Sequence, residues 1–118
     1  AKVITVQQKL RADKGPLTVV QPGREYIKEY LLKKHYICVF SDVLVIAQKS
    51  VRPKELHKYI ASVPLNRSKI QYESNSKNFE ILCDSTKTVY KFSALTMEDK
   101  QEFIESYNFA VDEINRSK

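Results

Sequence analysis

Apolar and polar positions alternate with a period of two through the middle of the chain and with a period near 3.6 close to its C-terminus. The pattern therefore predicts a series of strands followed by one helix. Tyr26–Lys33 opens the series, and Tyr36–Ser41 and Val43–Lys49 are rich in β-branched and aromatic residues. A polar loop over 50–57, with Pro53, leads to Lys58–Leu65 and Lys69–Glu73. Ser74 to Asn78 has turn chemistry, because Asn and Ser bond locally to backbone. The last hairpin has the cleanest alternation. Phe79, Ile81 and Cys83 alternate with Asn78, Glu80 and Leu82, Asp84-Ser85-Thr86 turns the chain, and Tyr90 and Phe92 alternate with Val89 and Lys91.

The period then changes. Phe103, Ile104, Tyr107, Ala110, Val111 and Ile114 fall on one face of a helix running from about Met97 to Asn115. Thr96 followed by Asp99 is a variant capping box, and Glu98 and Asp99 suit the positive end of the helix dipole. The other face is read as solvated and acidic, with Glu98, Asp99, Glu102, Glu105, Asp112 and Glu113 against one Lys.

Ahead of the strands, Val3, Ile4, Val6 and Leu10 are apolar between basic residues and read as a helix end. Lys14-Gly15-Pro16 breaks what precedes it, Leu17 to Val20 is a short extended piece, and Pro22-Gly23 is a second breaker. Residues 1–23 thus read as a connector and 24–116 as the domain. Two fates are open for the four apolar side chains: packing on an upstream domain, which leaves them exposed here, or packing back on their own domain. The expected class is α+β: a seven-stranded antiparallel β-sandwich or barrel capped by one C-terminal amphipathic helix. Several superfamilies share that layout, so it leaves function open.

Composition narrows the function classes. The chain has 118 residues, 42% of them hydrophobic, enough for one ordinary core. No run approaches 18 uncharged apolar residues, the longest stretch being Tyr36 to Ala47, interrupted by Ser41 and Asp42, and no signal peptide opens the chain. Cys38 and Cys83 lie in strand-like segments and read as buried free thiols, with one disulfide between them as the alternative. With His35 and His57 as the only histidines, a zinc site is not expected, and no cofactor is. Only Gly15 and Gly23 occur, so there is no phosphate-cradling glycine loop, and no nucleophile–base motif appears. No enzyme is read here. The formal net charge is +6, unevenly placed: residues 1–58 hold 12 Lys/Arg and 5 Asp/Glu, residues 59–118 hold 8 and 9. Such polarity suits a basic face meeting an anionic surface.

Particular residues carry a resemblance. Val39-Phe40-Ser41-Asp42-Val43-Leu44-Val45-Ile46-Ala47 resembles the hairpin between the second and third strands of pleckstrin-homology (PH) domains in Rho-type guanine nucleotide exchange factors. Pro22-Gly23-Arg24-Glu25-Tyr26-Ile27 resembles the segment joining their catalytic Dbl-homology (DH) helices to the PH domain, although Tyr30 stands where that family usually has Gly. Phe79 to Leu82, Tyr90 to Ala94 and Glu102 to Ile104 are similar to the last hairpin and helix, with Phe103 where most PH domains carry Trp. The resemblance spans about residues 22–115.

It implies a non-catalytic PH domain cut from a larger exchange factor, regulating an adjacent DH domain that acts on a Rho-family GTPase, and held weakly at the cytoplasmic face of the membrane. The lipid-binding residues it implies are Lys33, Lys34 and His35 after the first strand, Lys49, Arg52, Lys54 and Lys58 around the third-to-fourth strand loop, and Lys87 in the last hairpin, all at one open end. Clustered ammonium and guanidinium groups suit the multiply charged phosphates of anionic lipid and phosphoinositide headgroups. His35 stands where Arg is expected and is mostly uncharged at neutral pH, so weak, charge-driven attraction is expected rather than selective headgroup recognition. No aromatic–basic interleaving points to nucleic acid, and a monomer is expected. The alternatives are a peptide- or protein-binding module of the same superfold, using the groove between the fifth strand and the last helix, or the PH domain of an Arf-type exchange factor.

Overall fold

The computed structural model describes residues 2–12, 17–52 and 55–116. A short helix α1 (Lys2–Gln8) and a two-residue strand β1 (Leu10–Arg11) precede β2 (Tyr26–Leu31), β3 (His35–Phe40), β4 (Val43–Gln48) and β5 (His57–Pro64). A 3-10 turn (Leu65–Arg67) leads to β6 (Ser68–Tyr72), β7 (Asn78–Cys83) and β8 (Thr88–Ser93), and α2 (Met97–Arg116) ends the chain. One sheet has the order β1-β5-β4-β3-β2, the other β6-β7-β8. The seven antiparallel strands and the terminal helix agree with the sequence reading to within a residue or two at each end. The eighth strand, β1, is an addition that lies parallel to β5, pairing Leu10 with His57 and Arg11 with Lys58.

The inner core lies between the sheets and under α2. Leu32, Ile37, Val39, Leu44 and Ile46 meet Phe79, Ile81, Cys83 and Phe92, and Phe103, Tyr107 and Ala110 close the opening. Phe103 is fully buried, stacked on Phe79 at 4.8 Å and edge-on to Tyr30 at 5.5 Å, so it fills the site where the resemblance implied Trp. Tyr30, the departure from the usual Gly, donates its hydroxyl to the Glu102 carbonyl at 3.0 Å and meets Ser106 Oγ at 2.5 Å. It thereby fastens β2 to the helix. Thr96 caps α2 by accepting the Asp99 N–H at 3.0 Å.

Lys100 corrects the reading of the helix surface. It is only 3% exposed, and its ammonium donates to the carbonyls of Glu73 and Ser76 while lying 5.0 Å from the Tyr72 ring centroid. The lone Lys of the acidic face is therefore a buried tie to the β6–β7 loop.

A second core lies on the far side of the five-stranded sheet. Because side chains alternate along a strand, Tyr36, Cys38 and Phe40 point away from Ile37 and Val39. They join Val43, Val45 and Ala47 in a cluster covered by Val6, Leu10 and Val19. The N-terminal segment thus packs on its own sheet. Val6 and Leu10 are buried, and of the four apolar residues singled out there only Ile4, at 47%, is exposed. The expected extended piece at Leu17 to Val20 makes no strand. Gln7 Oε1 accepts the N–H groups of Val19 (2.7 Å) and Val20 (3.0 Å), and Arg24 donates to the Val19 carbonyl at 2.6 Å while gripping Asp42 at 2.8 to 3.2 Å. Gly23, at φ 77, supplies the left-handed residue of the turn before β2. The breaker at Lys14-Gly15-Pro16 lies outside the described residues. Cys38 belongs to the outer core and Cys83 to the inner one, and both are free.

Both cores are expected to register in unfolding. Phe103→Ala should cost about 3–5 kcal/mol and Leu10→Ala about 2–4 kcal/mol in urea denaturation. Near-wild-type stability for Leu10→Ala would mean that the N-terminal cover contributes little.

A basic loop cluster as candidate functional site

Three segments meet where β2 turns into β3. The Lys33 N–H donates to the Ser93 carbonyl at the end of β8 (3.0 Å), and the Lys49 N–H donates to the Lys34 carbonyl (3.0 Å). Lys49 Nζ reaches the Leu32 carbonyl at 3.2 Å, so its ammonium holds the turn in place. Lys33 and Lys34 are exposed, and among the described residues neither they nor Arg52 pair with a carboxylate. His35 is half-buried, edge-on to Phe92 at 4.9 Å, and burial together with the Lys34 charge holds its pKa below the ordinary 6.5. It is therefore neutral at pH 7 and adds no charge to the cluster.

The remaining predicted residues are spread more widely. Arg52 is exposed in the β4–β5 loop, its carbonyl accepting from Ser50 Oγ (2.9 Å) and from the Glu55 N–H (3.2 Å). Lys54 lies outside the described residues. Lys58 sits within β5, in register with Gln48 on one side and Arg11 on the other. Lys87 is not part of the cluster. It occupies the β7–β8 turn, bound to Asp84 at 3.0 Å, with the Asp84 N–H on the Arg67 carbonyl. Lys33 touches the opposite end of β8, and a six-residue strand separates the two by about 20 Å. The expectation that all three loops share one end fails for this residue.

Two recesses flank Lys33 and Lys34. The larger, about 700 Å3, lies between their loop and the three-stranded sheet, with Phe79 and Phe92 among its lining residues and Tyr72, Lys91, Glu73 and Glu80 around them. Its charges are of both signs, which does not favour a polyanion. Lys91 and Tyr72 were not among the expected site residues; the strand alternation set Lys91 on the face opposite Phe92, away from the core. The smaller recess, about 520 Å3, opens between Lys33, Lys34, Lys49, Val51 and Ile60 and contains no carboxylate. Among the described residues, no three His, Cys, Asp or Glu side chains converge as metal ligands would.

A polar cluster braces the β4–β5 loop from the outer face of the sheet. The Ser50 N–H donates to His57 Nδ1 at 3.0 Å, and the His57 ring stacks on Tyr36 at 4.8 Å. The Tyr36 hydroxyl donates to Glu29, which also accepts from Lys9 Nζ at 2.8 and 2.9 Å. Burial pushes the Glu29 carboxyl up, but the Lys9 and Tyr36 hydrogen bonds outweigh it and hold it below the ordinary 4.5. Burial, with Lys9 and Lys49 nearby, holds His57 below 6.5, and burial raises the Tyr36 hydroxyl far above its ordinary 10.0.

No protein-family model matches the chain, and no curated protein matches it. Solved structures do. The DH/PH domain of human ARHGEF11, in a ternary complex with human RhoA and its inhibitor, is 22% identical with a TM-score of 0.69, over 95% of this chain and 38% of that one. The PDZ-RhoGEF DH/PH domains in complex with GTP-gamma-S-activated RhoA are 23% identical with a TM-score of 0.71, over 94% and 39%. An N-terminally truncated linker-DH/PH fragment of p115-RhoGEF is 12% identical with a TM-score of 0.67, over 95% and 39%. The chain thus spans about two fifths of the structures it matches, and it has the PH fold found in these DH/PH fragments.

Both histidines bind protons less readily folded than unfolded, so the unfolded state gains protons first as pH falls through 6.5. Stability should be complete at pH 7 and above and decline towards pH 5. His57→Phe keeps a ring over Tyr36 but cannot charge, so its urea midpoint should change less with pH over that range. An unchanged slope would mean that His57 does not contribute.

Proposed function

We propose that this chain is the PH domain of a Rho guanine nucleotide exchange factor, a non-catalytic part that attaches weakly to anionic membrane and regulates a neighbouring exchange domain. The observation that carries the membrane role is the pair of exposed lysines, Lys33 and Lys34, unpaired among the described residues and lining, with Lys49, a recess that lacks acid. An ammonium already bound to a carboxylate gains little from a phosphate, whereas an unpaired one retains most of its attraction. With His35 neutral and Lys49 engaged on the Leu32 carbonyl, few donors remain for one particular headgroup, so attraction to anionic lipid in general is the expected behaviour. The site of action is then the cytoplasmic face of a membrane. Likeness to DH/PH fragments over nearly the whole chain supports an exchange domain next to it and a Rho-family GTPase as the ultimate partner. No helix among the described residues is long and apolar enough to cross a membrane.

The peptide-binding alternative is less favoured, because Ser68 Oγ and the Tyr107 hydroxyl meet at 2.7 Å across the junction of β6 and α2 where a peptide would lie. Co-sedimentation with phosphatidylserine vesicles tests the membrane role. Binding is expected at low salt, weakening as salt rises, with little added by phosphoinositide. Lys33→Ala with Lys34→Ala should weaken it by about 2 kcal/mol, roughly 30-fold. No binding at low salt would remove the membrane role and leave contact with the exchange domain as the function.

A further inference from the structure

Of the exposed large apolar side chains among the described residues, Val51 stands apart at 94% exposure, the others lying between 39% and 55%. A lone exposed apolar residue is ordinary on a protein surface, but the setting of this one is not. It follows Ser50 in the β4–β5 loop, with Arg52 after it, and it borders the same recess as Lys33, Lys34 and Ile60, the last 42% exposed. Both neighbours of Val51 are held: the Ser50 N–H on His57, and the Arg52 carbonyl by Ser50 Oγ. An apolar side chain therefore stands in water beside a recess that Lys33, Lys34 and Lys49 line. At an anionic lipid surface the cations would meet phosphates while the apolar group passed between headgroups, where burial is favourable and independent of salt.

We propose that Val51 is an insertion residue, entering the interfacial layer of an anionic membrane while Lys33, Lys34 and Arg52 lie against the headgroups. This rests on the membrane reading above and adds to it a component of attachment that salt does not remove. It also sets orientation, since Val51 must point at the bilayer.

The chain contains no Trp, so Val51→Trp installs a single indole reporter at a site where the side chain packs on almost nothing. With phosphatidylserine vesicles, its emission should shift to the blue and be quenched by lipids brominated near the top of the acyl chain. In the otherwise natural chain, Val51→Ser leaves charge untouched and should weaken vesicle partition about tenfold without changing its salt dependence. Lys33→Ala with Lys34→Ala should instead flatten the salt dependence. Protein that sediments with vesicles while the indole stays unquenched, or Val51→Ser that partitions like the parent, overturns insertion and leaves charge-driven attachment standing. No sedimentation of the parent chain at low salt overturns both.

Discussion

β3 and β4 carry large apolar side chains on both faces, and most of the structure is arranged around covering them. The inner set, Ile37, Val39, Leu44 and Ile46, is closed off by the three-stranded sheet and α2. The outer set, Tyr36, Cys38, Phe40, Val43 and Val45, would face water in a sheet covered on one side only, and is instead roofed by Val6, Leu10 and Val19. The hydrogen bonds of Gln7, Arg24 and Lys9 hold that roof down, so polar groups fix the place of an apolar cover whose own contacts are non-directional.

The same distribution decides which cations face outward. Lys9 is taken by Glu29, Arg24 by Asp42, Lys28 by Glu102, Lys87 by Asp84, and Lys49 and Lys100 by backbone carbonyls. Each ion pair removes one charge of either sign and leaves the net charge of +6 unchanged, so the place where that surplus faces outward is read from unpaired side chains such as Lys33 and Lys34.

Strands and helix were legible because each rests on a local period. The capping of α2 by Thr96 and the burial of Phe103, Tyr107 and Ala110 follow from spacing alone. Lys100 was misread, although it falls three and four residues before Phe103 and Ile104 and so lies on the buried stripe; charge was allowed to outweigh position. The N-terminal cover had a signal too. An apolar run from Tyr36 to Ala47, broken only at the Ser41-Asp42 turn, cannot be buried on one face alone. What the run cannot name is its partner, since Val6 and Leu10 meet it through long-range contacts that no local pattern encodes. Lys87 shows the same limit: which loops share an end depends on how two sheets cross, and that is a property of the assembled sandwich.

The Lys9–Glu29–Tyr36 cluster has a mechanical consequence. Lifting α1 together with Lys9 from the sheet would strip Glu29 of its cation while burial still disfavours its charge, and would wet the outer face in the same motion. While it is seated, α1, β1 and the sheet turn as one body. Any polypeptide joined ahead of α1 would then take its bearing from the sheet, as a handle does from a blade.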